Sequence, residues 1–194
     1  MRTLIFLAFA ALLCACATGG QTGQHAASQI VPRTVWIVGA DGRAIGQAVF
    51  TEAPTGVLIK LEFSEHALPP GWHGLHLHQH GDCSDFANGF QAAGGHIGMG
   101  ARTQRGVVQH GLMNSAGPEA GDLPNVFAAP AGIYGAELFT DRVTLGAAKV
   151  RDREPLLDSD GAALIIHANP DDQTSQPIGG AGARIACAAL TPLP

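Results

Sequence analysis

The chain has 194 residues, 46% of them hydrophobic, and sets 11 Lys and Arg against 16 Asp and Glu for a net charge of −5 with histidines neutral. That length suits one compact domain with a sizeable core. The acidic balance argues against nucleic acid as a partner, because binding there needs a basic surface.

The sequence opens MRTLIFLAFAALLCACATGG, in which Arg2 precedes an apolar run from Leu4 to Leu13. The run is too short to cross a bilayer and is followed by small residues, which is the pattern of a secretory signal. Within it, Leu13-Cys14-Ala15-Cys16 resembles a bacterial lipoprotein box, cut before a cysteine that then carries lipid. Cys16 is the candidate, because small Ala15 precedes it whereas Leu13 precedes Cys14; an ordinary signal peptide that contains cysteines is the other reading. Residues 1–16 then form leader and anchor, and residues 17–33, beginning ATGGQTGQHAASQ, form a polar flexible tether. Both readings export the mature domain, residues 34–194, to the periplasm or cell envelope, and the first adds a lipid anchor as its only membrane contact. Two cysteines remain for that domain, Cys83 and Cys187. In an oxidising compartment such a pair usually forms a disulfide, with two buried free thiols as the alternative.

From Thr34 onward the pattern is one of short strands. TVWIV and GQAVF flank a turn at Asp41-Gly42, and GVLIKLEF follows Pro54-Thr55 with Val57, Ile59, Leu61 and Phe63 in alternate positions. Alternation at period two marks a sheet with one buried face. NVFAA before Pro130-Ala131-Gly132, YGAELFTD, ALIIHA and ARIACAAL are further candidates. Seven or eight strands of this kind indicate an all-β antiparallel sandwich or barrel. The segments 81–122 and 169–182 are instead long, polar and rich in glycine, and loops of that length are usually functional or disordered.

GWHGLHLHQHGDC, Gly71 to Cys83, holds four histidines. If Leu75 to Gln79 is a strand, His76 and His78 project from one face and form half of a metal site. Imidazole suits copper and zinc. Further donors stand at His96 after AAGG, His110 in VQHGL, His167 in LIIHANPDD and Asp122 in AGDLPNV.

HGLHLHQHGDC, AAGGH, QHGL, GDLPNV, IIHANPDD and GAGARIAC, in that order and across most of the mature chain, resemble the copper/zinc superoxide dismutases, particularly their exported bacterial branch. The resemblance implies a Greek-key β-sandwich or flattened barrel with copper and zinc between its loops. It implies His76, His78, His96 and His167 as copper ligands, His96 also as an imidazolate bridge to zinc, and His110 and Asp122 as zinc ligands. Asp171 matches the carboxylate that links the two sites, Arg184 the arginine that attracts and orients the superoxide anion, and His73 a structural histidine beside the copper. Cys83 and Cys187 match the family disulfide. The implied activity is conversion of superoxide to dioxygen and hydrogen peroxide by copper redox cycling, with His96 and Arg184 as catalytic residues.

One position departs from the family. Its third zinc histidine falls three residues before the matching aspartate, where this chain has Glu119. Glutamate can bind zinc, and an exposed loop glutamate beside a weak zinc site is the other reading. The stretch IGMGARTQRGVVQ between His96 and His110 is also longer than usual. A non-enzymatic copper- or zinc-binding lipoprotein on the same scaffold is the alternative function, although a metal store needs no Arg184. His25, His66 and His80 read as tether or solvated loop histidines. The oligomeric state stays open, a homodimer among the options.

Overall fold

The computed structural model describes residues 31–104, 106–131 and 134–192. The leader with Cys16, the tether as far as residue 30 with His25, and Gly132 lie outside the described residues.

The first three strands form where the apolar alternation places them. β1 (Arg33–Gly39), β2 (Ala44–Ala53) and β3 (Gly56–Phe63) pair as an antiparallel meander. In β3 Val57, Ile59, Leu61 and Phe63 are buried while Lys60 and Glu62 face solvent. Gly42 turns β1 into β2 at a φ of 76°, a region that side chains with a β-carbon disfavour.

The remaining strands are β4 (Gly71–His73), β5 (Leu75–His78), β6 (Arg102–Thr103), β7 (Gly106–Val107), β8 (Val126–Ala128), β9 (Tyr134–Thr140), β10 (Val143–Thr144), β11 (Glu154–Pro155), β12 (Ala162–His167) and β13 (Arg184–Leu190). Four of them join β1, β2 and β3 in one curled seven-stranded sheet, in the order β5-β12-β13-β1-β2-β3-β9. β13 returns beside β1 and β9 beside β3, the long connections of a Greek key. Phe50, Ile59, Phe63, Leu77, Leu123 and Leu164 fill its interior. The expected all-β Greek-key barrel is the architecture. Local pattern did not reveal β4, which pairs with β8, or the two-residue strands β6, β7, β10 and β11.

Register places the site. β12 is buried on both faces: Leu164 and Ile166 face the main core, whereas Ala163 and Ile165 join a smaller cluster with Phe90, Ala93 and Cys187. β5 pairs with β12 so that His76 lies opposite Ile165 and His78 opposite Ala163. The two histidines therefore leave the sheet on its outer side, while Leu75 and Leu77 enter the core. A bulge between Ile166 and His167 brings His167 opposite Arg184, re-aiming a side chain as bulges do. The Cys83–Cys187 disulfide, with its Cα atoms 5.8 Å apart, fastens the segment after β5 over this outer face. That segment contains two short 3₁₀ turns, Phe86–Asn88 and Gln91–Ala93.

Candidate metal centre

Three backbone hydrogen bonds assemble the site from distant segments. Leu77 N–H donates to the Gly121 carbonyl at 2.8 Å, Gly121 N–H to Ile97 at 2.8 Å, and Ile97 N–H to Leu77 at 2.9 Å. This ring fixes β5 against the residues on either side of it that carry His96 and Asp122. Gly121 is required there, because a β-carbon would fall 2.2 Å from the Leu77 carbonyl oxygen.

Four imidazoles converge as a result. One ring nitrogen from each of His76, His78, His96 and His167 lies within 4.8 Å of the others, and all four residues are buried. The opposite nitrogen of each ring is held: His76 Nε2 by Asp171 at 2.9 Å, His78 Nδ1 by the Gly94 carbonyl at 2.9 Å, His96 Nδ1 by Glu119 at 2.8 Å, and His167 Nδ1 by the Gly182 carbonyl at 3.0 Å. The remaining nitrogens, His76 Nδ1, His78 Nε2, His96 Nε2 and His167 Nε2, are buried without a hydrogen-bond partner. A buried polar atom left unsatisfied costs about 1–3 kcal/mol. Four that point at one spot fit a cation that accepts imidazole nitrogen, as copper does. Burial, helped by the positive charge of neighbouring rings, holds His78 well below its ordinary pKa and His167 at about 3, so both rings are neutral with lone pairs free.

A second donor group shares two of these rings. His76, His96, His110 and Asp122 present ligand atoms within 4.8 Å of one another. Asp122 Oδ1 lies 2.8 Å from His110 Nδ1 and 3.4 Å from His96 Nδ1, and its Oδ2 accepts the N–H groups of Gly111 and Glu119. Glu119 falls outside that mutually close set, but its Oε2 is 2.8 Å from His96 Nδ1. It is not the exposed loop residue that one reading of the sequence allowed, since only 4% of it is accessible. Asp171 joins the two groups, with Oδ2 on His76 and Oδ1 3.2 Å from His110 Nε2. Burial opposes charge on His110, but hydrogen bonds to Asp122 and Asp171 outweigh it and raise its pKa to about 10. The same contacts overcome burial at Asp122 and Asp171 and hold both carboxylates well below their ordinary range. The site is thus polarised: against its burial, the carboxylates of Asp122 and Glu119 raise the pKa of His96, whereas His78 and His167, farther from them, are held neutral.

Arg184 borders the imidazoles, its guanidinium donating to the carbonyls of Phe90 and Gly94, each at 2.7 Å. Phe90 went unnoticed in the sequence; it is fully buried with φ at 55°, an uncommon value for a bulky residue, and this conformation carries the carbonyl that holds Arg184. Arg142 was missed too, and its Nη2 donates to the Asp122 carbonyl from the turn after β9. His73 behaves as a structural residue, both ring nitrogens lying 2.7 Å from backbone carbonyls, those of His167 and Pro69. His80 stays at the surface, but its Nδ1 pairs with Asp160 at 2.6 Å.

Fold and site together define a Greek-key barrel that carries paired cation sites, one of four imidazoles and one rich in carboxylates, beneath a disulfide-fastened loop. The model of the copper/zinc superoxide dismutase family matches residues 44–190, and the chain belongs to that family. The Cu-Zn superoxide dismutase of Caulobacter vibrioides is 45% identical over 157 residues, which cover 81% of this chain and 84% of the relative. A second Cu-Zn superoxide dismutase, from Aquifex aeolicus, is 36% identical over 155 residues, covering 79% and 83%. Among solved structures, a double mutant of a SOD-like protein from Bacillus subtilis superposes with a TM-score of 0.70 at 32% identity, covering 81% of this chain and 96% of that one.

Proposed function

We propose that this protein dismutates superoxide on the outer face of its barrel, with copper held by His76 Nδ1, His78 Nε2, His96 Nε2 and His167 Nε2, and zinc by His96 Nδ1, His110 Nδ1, Asp122 and Glu119. The observation that carries this is the convergence of four buried, unpartnered ring nitrogens beside an arginine anchored by two carbonyls. Copper, when bound, supplies the one-electron couple that oxidises one superoxide to dioxygen and reduces a second, which leaves as hydrogen peroxide after protonation. The residues of the chain do the rest. His96 is the group placed to hold a proton at Nε2 while Glu119 and Asp122 fix its Nδ1 side. Arg184 offers an anion a positive field on a protein of net charge −5. A metal store would have no use for that arginine, which favours the enzyme over the binding lipoprotein. Assay of protein loaded with copper and zinc decides between them, and inactivity at full copper occupancy would rule out the enzyme.

Replacement of Arg184 by leucine is expected to lower kcat/KM about 10- to 100-fold, within the range that electrostatic steering supplies. Its dependence on ionic strength should flatten as well. Arg184→Lys keeps the charge but loses the fork that grips both carbonyls, and should fall between. Stopped-flow rates across a salt series check both.

Glu119 is the fourth zinc donor in this reading. Glu119→Ala should weaken zinc binding about 100-fold, while Glu119→His should retain it. Zinc competition against a chelator measures this, and an undiminished affinity in Glu119→Ala would remove the residue from the site.

The exported, lipid-anchored location belongs to the same proposal. Its support is the apolar run Leu4 to Leu13 and the Ala15-Cys16 junction, and metabolic labelling with palmitate tests it.

A further inference from the structure

The 81–122 and 169–182 segments are not joined by strand pairing among the described residues, yet their backbones touch. A β-carbon on Gly111, where φ is 114°, would fall 2.3 Å from the Gln173 carbonyl oxygen. Side-chain amides provide the bonds that a β-ladder would otherwise make. The amide of Gln176 pairs with the His110 peptide at two points: Oε1 accepts the His110 N–H at 3.1 Å, and Nε2 donates to the His110 carbonyl at 2.8 Å. Gln173 accepts the Leu112 N–H at 3.3 Å and donates to the Leu123 carbonyl at 3.2 Å, while its own carbonyl takes the Met113 N–H at 3.1 Å. Asn125 closes the lattice with two bonds to the Asp171 backbone, at 2.8 and 2.9 Å.

The residues gripped in this way are those whose side chains meet across the gap. His110 Nε2 lies 3.2 Å from Asp171 Oδ1, and the other oxygen of Asp171 orients His76. We propose that Gln173 and Gln176 are positioning residues that lock the 169–182 segment onto the zinc-bearing loop, so that zinc binding at His110 and the orientation of His76 through Asp171 are coupled. This rests on the reading of His110 as a zinc ligand. Physically, a ligand whose peptide is held at both its donor and its acceptor loses little freedom on binding. When Gln176 is removed, the His110 carbonyl keeps a bond from Asn114 at 3.1 Å, but the His110 N–H loses the partner described here.

The test is zinc affinity of the full mature chain, by chelator competition, in Gln176→Ala, Gln173→Ala and the double variant. Each single change should weaken zinc 10- to 100-fold, the range for groups that orient metal ligands, and the double variant should be weaker still. Cobalt placed in the zinc site should show an altered absorption spectrum. Hydrogen exchange at the His110 and Gly111 amides of metal-free protein should quicken at least tenfold. Gln176→Glu keeps the acceptor for the His110 N–H and should recover part of the affinity, which a mere loss of folding would not allow. Ser115→Ala alters an exposed side chain of the same loop that takes no part in these bonds and should change nothing. Zinc affinity within twofold of wild type in Gln176→Ala, while His110→Ala abolishes binding, would overturn the clamp and leave the ligand assignment standing. Undiminished zinc binding in His110→Ala would overturn both.

Discussion

Replacing His78 by leucine is expected to abolish tight copper binding while leaving the metal-free protein as stable as wild type or slightly more so. The two halves of that result have one cause. His78 Nε2 is a buried polar atom without a partner, a condition that costs about 1–3 kcal/mol. Leucine removes the atom and adds apolar burial. The hydrogen bond lost, His78 Nδ1 to the Gly94 carbonyl, is worth about 0.5–1.5 kcal/mol, and that carbonyl keeps its bond from Arg184. At the midpoints of those ranges the metal-free fold gains about 1 kcal/mol. Copper affinity should drop at least about 100-fold, beyond what loss of an orienting partner costs, and dismutation should vanish with it. In wild type, copper returns the difference, since a ligand that binds only the native state stabilises it by mass action. Urea melts of both proteins with and without copper, together with counting of nitrogen donors on the cupric ion, provide the check. A metal-free variant less stable than wild type by more than about 1 kcal/mol would show that these nitrogens do not strain the empty fold.

The sequence displayed part of this arrangement because some of it is periodic. Val57, Ile59, Leu61 and Phe63 lie on one face of β3, and His76 and His78 share one face of β5, since a strand repeats every two residues. The convergence of His96, His110 and His167 on them had no local signature, and it came from likeness to a known family, not from spacing. What stayed hidden was set by tertiary contact alone. Phe90 reads as an ordinary aromatic until its left-handed backbone is seen to deliver a carbonyl to Arg184. Glu119 reads as a loop glutamate until the Asp122 carboxylate takes its N–H and turns its side chain inward. Gln173 and Gln176 look like polar filler because an amide that replaces a ladder rung leaves no pattern along the chain. The strands β10 and β11 are two residues each, too short for any period to show.

Removal of the disulfide, as Cys83→Ala with Cys187→Ala, should have the largest effect on stability. The bond closes a loop with a sequence separation of 104, and in the chain-entropy model a loop of about 100 residues is worth about 4–5 kcal/mol. Total stability of a domain is only about 5–15 kcal/mol, so the metal-free variant should sit close to unfolding. Its melting temperature should fall by about 8–20 °C, at the roughly 2–4 °C per kcal/mol typical of this size. Function should suffer separately from folding. Cys187 packs in the small cluster with Phe90 and Ala93, and that cluster holds the segment whose carbonyls, from Phe90 and Gly94, anchor Arg184. Three of the four histidines proposed for copper are carried by β5 and β12, strands that contain neither cysteine and are paired with each other. Copper should accordingly remain bound at temperatures where the variant is folded, while kcat/KM falls about tenfold as Arg184 loses its fixed position. A variant that melts within about 3 °C of wild type, or one that keeps full activity per bound copper, would show that the segment holds its place through packing alone.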